Sequence, residues 1–369
     1  MKRVVNWLLL MVVLASCLGI MEIVARNLPE AQRLGWNLVP VLPDRMEGIP
    51  DKGPRQRVLV VGDSFAEWME ASGGNFVRIA ETQLRDQGRD VEFVNMGEAG
   101  SGMVDYYRNL VTYGPRLKAD QVVIALYLGN DLIAFPGGLP SPDKVGVSLP
   151  VPVYDHSWRR MLKKSVLLNL VYRQAKLHIP WMRSGFTAQV VEYLRRRDGK
   201  DQAFVNQRLA KLDPQLVQQA EADSINGWDL ATALFSPDYY GNLADANPAS
   251  PEGDAALASL DDLRTLVRYA KTLAPQVTVV LIPPSPWAGE RYHDYFRRLG
   301  YGRLGPTQAE PEIQTRVKTL LGQENTPYLD LLPALRASQD SAYLDRDIHF
   351  NGHGQELAGH ELARALAMP

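Results

Sequence analysis

A single cysteine, Cys17, excludes an intramolecular disulfide and any multi-cysteine metal site, so stability has to come from packing. Neither sign of charge dominates. The 40 Lys plus Arg and 42 Asp plus Glu leave a formal net charge of -2, which offers no electrostatic case for nucleic acid as a partner. Histidine is sparse, and no His-Glu-x-x-His pattern occurs. His349 and His353 are four positions apart, but Gly352 and Gly354 argue against a helical His-x3-His face. Metal catalysis is therefore not expected, and His353 and His360 read as surface or packing residues. Internal repeats and low-complexity tracts are also missing. What remains is length: 369 residues can bury a substantial core, as one large domain or two smaller ones.

Long apolar runs are nearly absent too. The candidate, Val4 to Met21, is interrupted by Asn6, Ser16, Cys17 and Gly19 and follows Lys2 and Arg3. Its roughly 18 residues are near the lower limit for a spanning helix. The preceding positive charge predicts a cytoplasmic tail with the rest of the chain exported. A signal anchor over residues 1–26 is the first expectation. A second reading uses Leu14-Ala15-Ser16-Cys17, which resembles a bacterial lipobox and would leave the cysteine lipidated. Against it, the chain stays apolar through Ile20 and Met21 and lacks a polar tether. A cleaved secretory signal is the third reading. The first two tether the chain to the outer face of a membrane, which is the periplasmic face of the inner membrane in a Gram-negative cell.

From residue 27 to 56 the sequence is rich in Pro and charge without a sustained period, and it reads as a linker with turns. Short β-branched runs then alternate with helix-like stretches. Strands are expected at 57–61, 91–94 and 121–127, with helices at about 75–87 and 103–113. Such alternation specifies a parallel sheet wrapped by helices. The pattern breaks after Asp131 and resumes with a helix near 254–273, a strand at 277–282, a short strand at 327–330 and a closing helix near 355–368. Residues 136–250 form an insertion: a Gly/Pro-rich loop from Phe135 to Pro152, helices near 165–177 and 187–212, then Trp228 and Pro237-Asp-Tyr-Tyr240. A mainly helical cap over a substrate cleft is expected there, with plain structural packing as the alternative.

In a doubly wound sheet, ligands bind outside the carboxyl ends of the strands. Three strand ends carry polar blocks: Gly62-Asp63-Ser64, then Asn95 through Gly100 to Gly102, then Gly129-Asn130-Asp131. A fourth block, Asp345-Arg-Asp347-Ile-His349-Phe-Asn351, precedes the final helix. A serine hydroxyl is a weak nucleophile at neutral pH. It needs an imidazole to take its proton and a carboxylate to orient that imidazole. Ser64, His349 and an aspartate supply these groups, while Gly100 and Asn130 are candidate donors for an oxyanion. Taken singly, Gly-Asp-Ser is a common turn, Asn130 could cap a helix, and Gly100 could serve a positive φ. Asp63 is expected to brace the turn.

Together these blocks resemble the SGNH (GDSL) hydrolase superfamily. The resemblance implies a three-layer α/β/α flavodoxin-like fold with a parallel sheet. It implies Ser64 as nucleophile, His349 as base, and an oxyanion hole formed by the Ser64 N–H, Gly100 and Asn130, with neither metal nor cofactor. It covers about residues 57–131 and 255–369 and leaves out the insertion. One departure stands out: the family usually places its aspartate three residues before the histidine, where this chain has Arg346. Asp347 and Asp345 flank that position. Asp347-Ile-His349-Phe-Asn351 is similar to the Asp-x-His arrangement of polysaccharide-acetylating relatives, which favours Asp347 as the orienting acid and keeps Asp345 second. Gly62-Asp-Ser-Phe-Ala66 also faintly resembles the nucleophile elbow of α/β-hydrolases, but its place after the first strand and the close Asp347/His349 pairing argue against that fold. The resemblance implies an O-acyl ester substrate, with acetylated glycans as the expected class. Hydrolysis is expected first, an O-acetyltransferase using the same acyl-enzyme second, and an inactive glycan-binding scaffold third.

Overall fold

The computed structural model describes residues 13, 16–25, 42–67, 74–149, 165, 167–168, 171, 202–221, 225 and 227–367. Most of the expected anchor, including its first 12 residues, lies outside this set, as do half of the expected linker, most of the expected helix at 165–177 and residues 187–201 of the expected helix at 187–212. No described helix is long and apolar enough to cross a membrane.

Five parallel strands form one sheet: β1 (Gln56–Gly62), β2 (Val91–Asn95), β3 (Gln121–Tyr127), β4 (Gln276–Ile282) and β5 (Tyr328–Asp330), in the order β2-β1-β3-β4-β5. All seven residues of β3 are buried, which explains why it reads as an unbroken apolar run instead of an alternating one. The connecting helices are α1 (Phe76–Asp86), α2 (Met103–Leu117), α3 (Gly227–Phe235), α4 (Tyr239–Ala244), α5 (Pro251–Leu273), α6 (His293–Leu299), α7 (Glu312–Gln323) and α8 (Gly352–Ala367). Right-handed crossovers fix their sides. The step from β1 to β2 runs one way along the sheet and places α1 on one face. Later steps run the other way and place α2, α5 and α7 on the opposite face, where α5 packs against both others; α8 returns to pack on α1. The result is a three-layer α/β/α domain with flavodoxin-like strand order. The order reverses between β1 and β3, so the crevice at their carboxyl ends receives residues 62–64 and 128–131.

Two regions extend this frame. Within the expected linker, Leu42–Glu47 is a short helix whose Leu42 and Met46 are buried in the core. Apolar side chains four apart share one helix face, so two isolated residues suffice to dock it. Arg45 then donates to the carbonyls of Asn95 and Gly97, and Arg116 to that of Met46. Between β3 and α5, the described segments are mostly helical: Gln202–Leu209, Pro214–Glu221, α3 and α4. Leu230, Tyr240 and Leu243 join the domain's main hydrophobic cluster.

Candidate active site

Immediately after β1 the chain turns into a short helical segment, Ser64–Glu67. Asp63 caps it: its Oδ1 accepts the Phe65 N–H at 2.9 Å, and its carbonyl accepts the Glu67 N–H at 3.1 Å. The bracing role expected of Asp63 is thus visible as two hydrogen bonds. Gly97, at the end of β2, lets this segment sit close. A Cβ there would lie 2.6 Å from Ala66 Cβ and 2.9 Å from the Glu67 nitrogen.

The loop after β2 is stitched to the end of β1, with the Met96 N–H donating to the Val60 carbonyl at 2.7 Å and the Glu98 N–H to that of Gly62 at 3.0 Å. The buried Glu67 carboxylate accepts the Ala99 N–H at 2.7 Å. Gly100 follows at φ +79°, a left-handed conformation that a β-carbon disfavours. The same loop that holds Gly100 is therefore clamped to the segment that carries Ser64.

His349 comes from the loop before α8, fixed from both sides. Tyr343 pairs with Phe350 in an antiparallel bridge, and the Leu344 N–H donates to the His349 carbonyl at 2.9 Å. Tyr343 Oη donates to the Pro283 carbonyl beyond β4 at 2.6 Å. Asn351 Nδ2 donates to the Ser341 and Tyr343 carbonyls, while its Oδ1 accepts the Gly354 N–H at the start of α8. Phe65 packs on both the His349 ring, at 5.1 Å, and the Phe350 ring, at 4.9 Å.

These constraints place His349 Nε2 2.7 Å from Ser64 Oγ, and Nδ1 against Asp347 Oδ1, which also accepts the His349 backbone N–H at 3.1 Å. A hydroxyl, an imidazole and a carboxylate thus stand in one hydrogen-bonded line. Asp345 lies off this line, in the wall of a cleft of about 290 Å³ that also borders Asp347, Tyr292, Tyr295, Arg298 and Ser341.

Charge distribution prepares the imidazole to accept a proton. Burial disfavours its charged form, but the Asp347 charge and hydrogen bond, aided by Asp63 and Asp229, outweigh that and raise His349 above its ordinary value. Burial likewise opposes ionisation of Asp347, yet His349 and the backbone N–H donors hold its carboxyl below the usual range. Three further carboxyls behave differently. Burial pushes Asp63 up to about 6, partly offset by the Phe65 N–H and His349. Asp131 is raised well above the ordinary value by burial and then by Asp63. Burial and then Asp347 do the same to Asp229.

Asn130 is exposed on the turn after β3, next to the buried Asp131. Asp131 Oδ2 holds that turn by accepting the Tyr127 N–H at 2.7 Å and the Tyr106 hydroxyl at 2.8 Å. Three residues were not singled out by sequence reasoning. Glu67 follows Ser64 by three positions, one helical turn, which was a usable signal. Asp229, bonded by Tyr295 Oη at 3.3 Å, and Tyr239, bonded to the Gly129 carbonyl at 2.8 Å, come from the region between β3 and α5. No strand end marks them. Of the histidines, His353 meets Ser338 Oγ at 2.8 Å and His293 the Pro286 carbonyl at 3.0 Å, both outside the Ser64 line.

Fold and side chains together define a parallel α/β domain with a Ser–His–Asp line at its topological switch point. No protein-family model matches the chain, and no curated protein matches it. Solved structures do. TesA shares 14% identity over 85% of this chain and 98% of its own, with a TM-score of 0.38. A catalytic mutant of an acetylxylan esterase from Geobacillus stearothermophilus shares 13% over 87% and 98%, at 0.40. A putative GDSL-like lipase from Parabacteroides merdae shares 12% over 86% and 98%, at 0.37. At such identities most side chains differ, so the chemistry of this chain rests on its own geometry.

Proposed function

We propose that this protein is a serine esterase of the SGNH type acting on O-acyl esters. The observation that carries the reading is the 2.7 Å contact between Ser64 Oγ and His349 Nε2, with Asp347 on the opposite ring nitrogen. Ser64 Oγ attacks the acyl carbon while its proton passes to His349 Nε2. The negative charge that develops on the carbonyl oxygen is met by the Ser64 N–H, Gly100 and Asn130. As the intermediate collapses, His349 returns the proton to the departing alkoxide, which leaves as an alcohol. Water then repeats the sequence on the acyl-enzyme, releases the acid and restores Ser64.

O-acetyl groups on envelope or exported glycans are the substrates we propose. The likeness of Asp347-Ile-His349-Phe-Asn351 to the Asp-x-His arrangement of polysaccharide-acetylating relatives supports this. We further propose that residues 1–26 tether the enzyme to the outer face of a membrane, on the strength of Lys2, Arg3 and the apolar run that follows. The test is a serine-directed fluorophosphonate with peptide mapping, run beside hydrolysis of p-nitrophenyl acetate and of an O-acetylated oligosaccharide. Ester turnover with Ser64 as the labelled residue is expected. No turnover together with an unlabelled Ser64 would sink the proposal. Adding a deacetylated glycan acceptor to the same assay separates hydrolysis from acyl transfer.

A further inference from the structure

The turn that carries Asn130 is held from the side by a residue outside the strand-end blocks. Tyr239, the first residue of α4, donates its hydroxyl to the Gly129 carbonyl at 2.8 Å. That carbonyl and the Asn130 N–H belong to one planar peptide group. The other end of the plane is held too, because the Asn130 N–H donates to the Tyr127 carbonyl at 3.4 Å. The next N–H, that of Asp131, donates to the same Tyr127 carbonyl at 3.1 Å, so the peptides on both sides of Asn130 are held and the direction of its Cα–Cβ bond is restrained. We infer that Tyr239 is a positioning residue for the oxyanion donor Asn130, so that the segment between β3 and α5 takes part in organising the catalytic centre.

Such a role requires α4 to be a firm support, and it is tied down at several points. The Gly241 N–H donates to the Arg303 carbonyl at 3.1 Å, the Gly302 N–H to that of Pro237 at 2.9 Å, and Trp287 Nε1 to that of Tyr240 at 3.3 Å. The Tyr239 ring stands edge-on to Tyr240, 5.3 Å between centroids, and Tyr240 in turn packs against Phe296 at 5.1 Å and Tyr301 at 5.2 Å. The hydroxyl of Tyr239 is therefore delivered by a packed aromatic cluster. A donor misplaced by a fraction of an ångström stabilises an oxyanion less while hardly affecting ground-state binding, so the loss falls on kcat.

This inference rests on the esterase reading, and a double-mutant cycle on an activated acetyl ester tests it apart from that reading. Tyr239→Phe should lower kcat on the order of 10-fold with KM within about 2-fold, and Asn130→Ala about 10²-fold or more. If Tyr239 acts through Asn130, the double variant is no slower than Asn130→Ala alone. Losses that multiply, or a Tyr239→Phe enzyme as fast as the parent, overturn the inference while leaving the esterase intact. A parent chain that turns over no ester and leaves Ser64 unlabelled defeats both. Melting temperatures measured alongside separate lost positioning from lost folding, because a purely structural Tyr239 would lower Tm and give multiplying effects.

Discussion

His349 Nε2 lies 2.7 Å from Ser64 Oγ although 285 positions separate the two in the chain. Each residue is also held independently of this contact. Ser64 is fixed by the Asp63 cap and Gly97, and His349 by the Tyr343–Phe350 bridge and the Asn351 cap of α8. Each side of the contact is thus organised before substrate arrives, as a proton transfer in the transition state requires.

Removing either partner should leave the fold intact and the chemistry disabled. Ser64→Ala and His349→Ala are each expected to lower kcat by about 10⁴-fold or more, and the double variant to be little worse than either, since the residues act as one unit. Steady-state kinetics with circular dichroism as the folding control provide the check. Parent-like turnover in a Ser64→Ala preparation contaminated by no other esterase would exclude Ser64 as the nucleophile.

The pH profile follows from the charges around His349. Only the neutral imidazole accepts a proton, so kcat/KM should rise with pH through the His349 pKa, with a midpoint above the ordinary histidine value of about 6.5. Asp347→Asn removes the leading cause of that upward shift and the acceptor for Nδ1. The limb should therefore move to lower pH while kcat drops about 10² to 10⁴-fold. Asp345→Asn should cost less and leave the limb in place, because the carboxylates that raise His349 are Asp347, Asp63 and Asp229. A limb shifted by Asp345→Asn and not by Asp347→Asn would reverse the assignment.

Gly97 offers a purely steric test. In Gly97→Ala the new methyl would meet Ala66 Cβ at 2.6 Å, the Ala66 carbonyl carbon at 2.8 Å and the Glu67 nitrogen at 2.9 Å. Two of these atoms are backbone, so the segment bearing Ser64 has to move. A loss of about 1–3 kcal/mol in stability is expected, with a fall in kcat larger than any change in KM. Unchanged Tm and kcat would show that the segment tolerates displacement.

The strands were legible because a parallel sheet buried on both faces leaves unbroken runs such as 121–127, and the polar blocks at their ends mark the crevice. Helix ends were less sharp: α2 continues past Tyr113 to Leu117 despite Pro115. Leu42–Glu47 was hidden because only two apolar residues dock it, too few for a period to emerge. Tyr239 and Asp229 were illegible for a different reason. Each acts through tertiary packing of α3 and α4 against the domain, and nothing near them in sequence says which turn or which imidazole they will face. Chemistry pointed to Ser64, His349 and an aspartate, and the family resemblance to Asp347 in particular, whereas nothing in the sequence pointed to most of the groups that hold them.

Asp131 makes the last prediction. It is buried, its Oδ2 takes two hydrogen bonds, and its Oδ1 has no hydrogen-bonding partner among the described residues. Burial, and then the nearby Asp63, raise its pKa well above the value near 3.8 that it has when unfolded. A carboxyl whose folded pKa is raised contributes most stability below its unfolded pKa, and that contribution is lost as pH rises through the folded one. Each pH unit in that window costs at most about 1.4 kcal/mol. Asn at this position keeps an oxygen for the Tyr127 and Tyr106 donors and cannot ionise. Asp131→Asn should therefore melt higher than the parent at pH 7, and the difference should shrink as pH falls toward 4. Chemical denaturation at three pH values measures this directly. A difference in stability that does not depend on pH would mean that Asp131 folds without the penalty its surroundings impose.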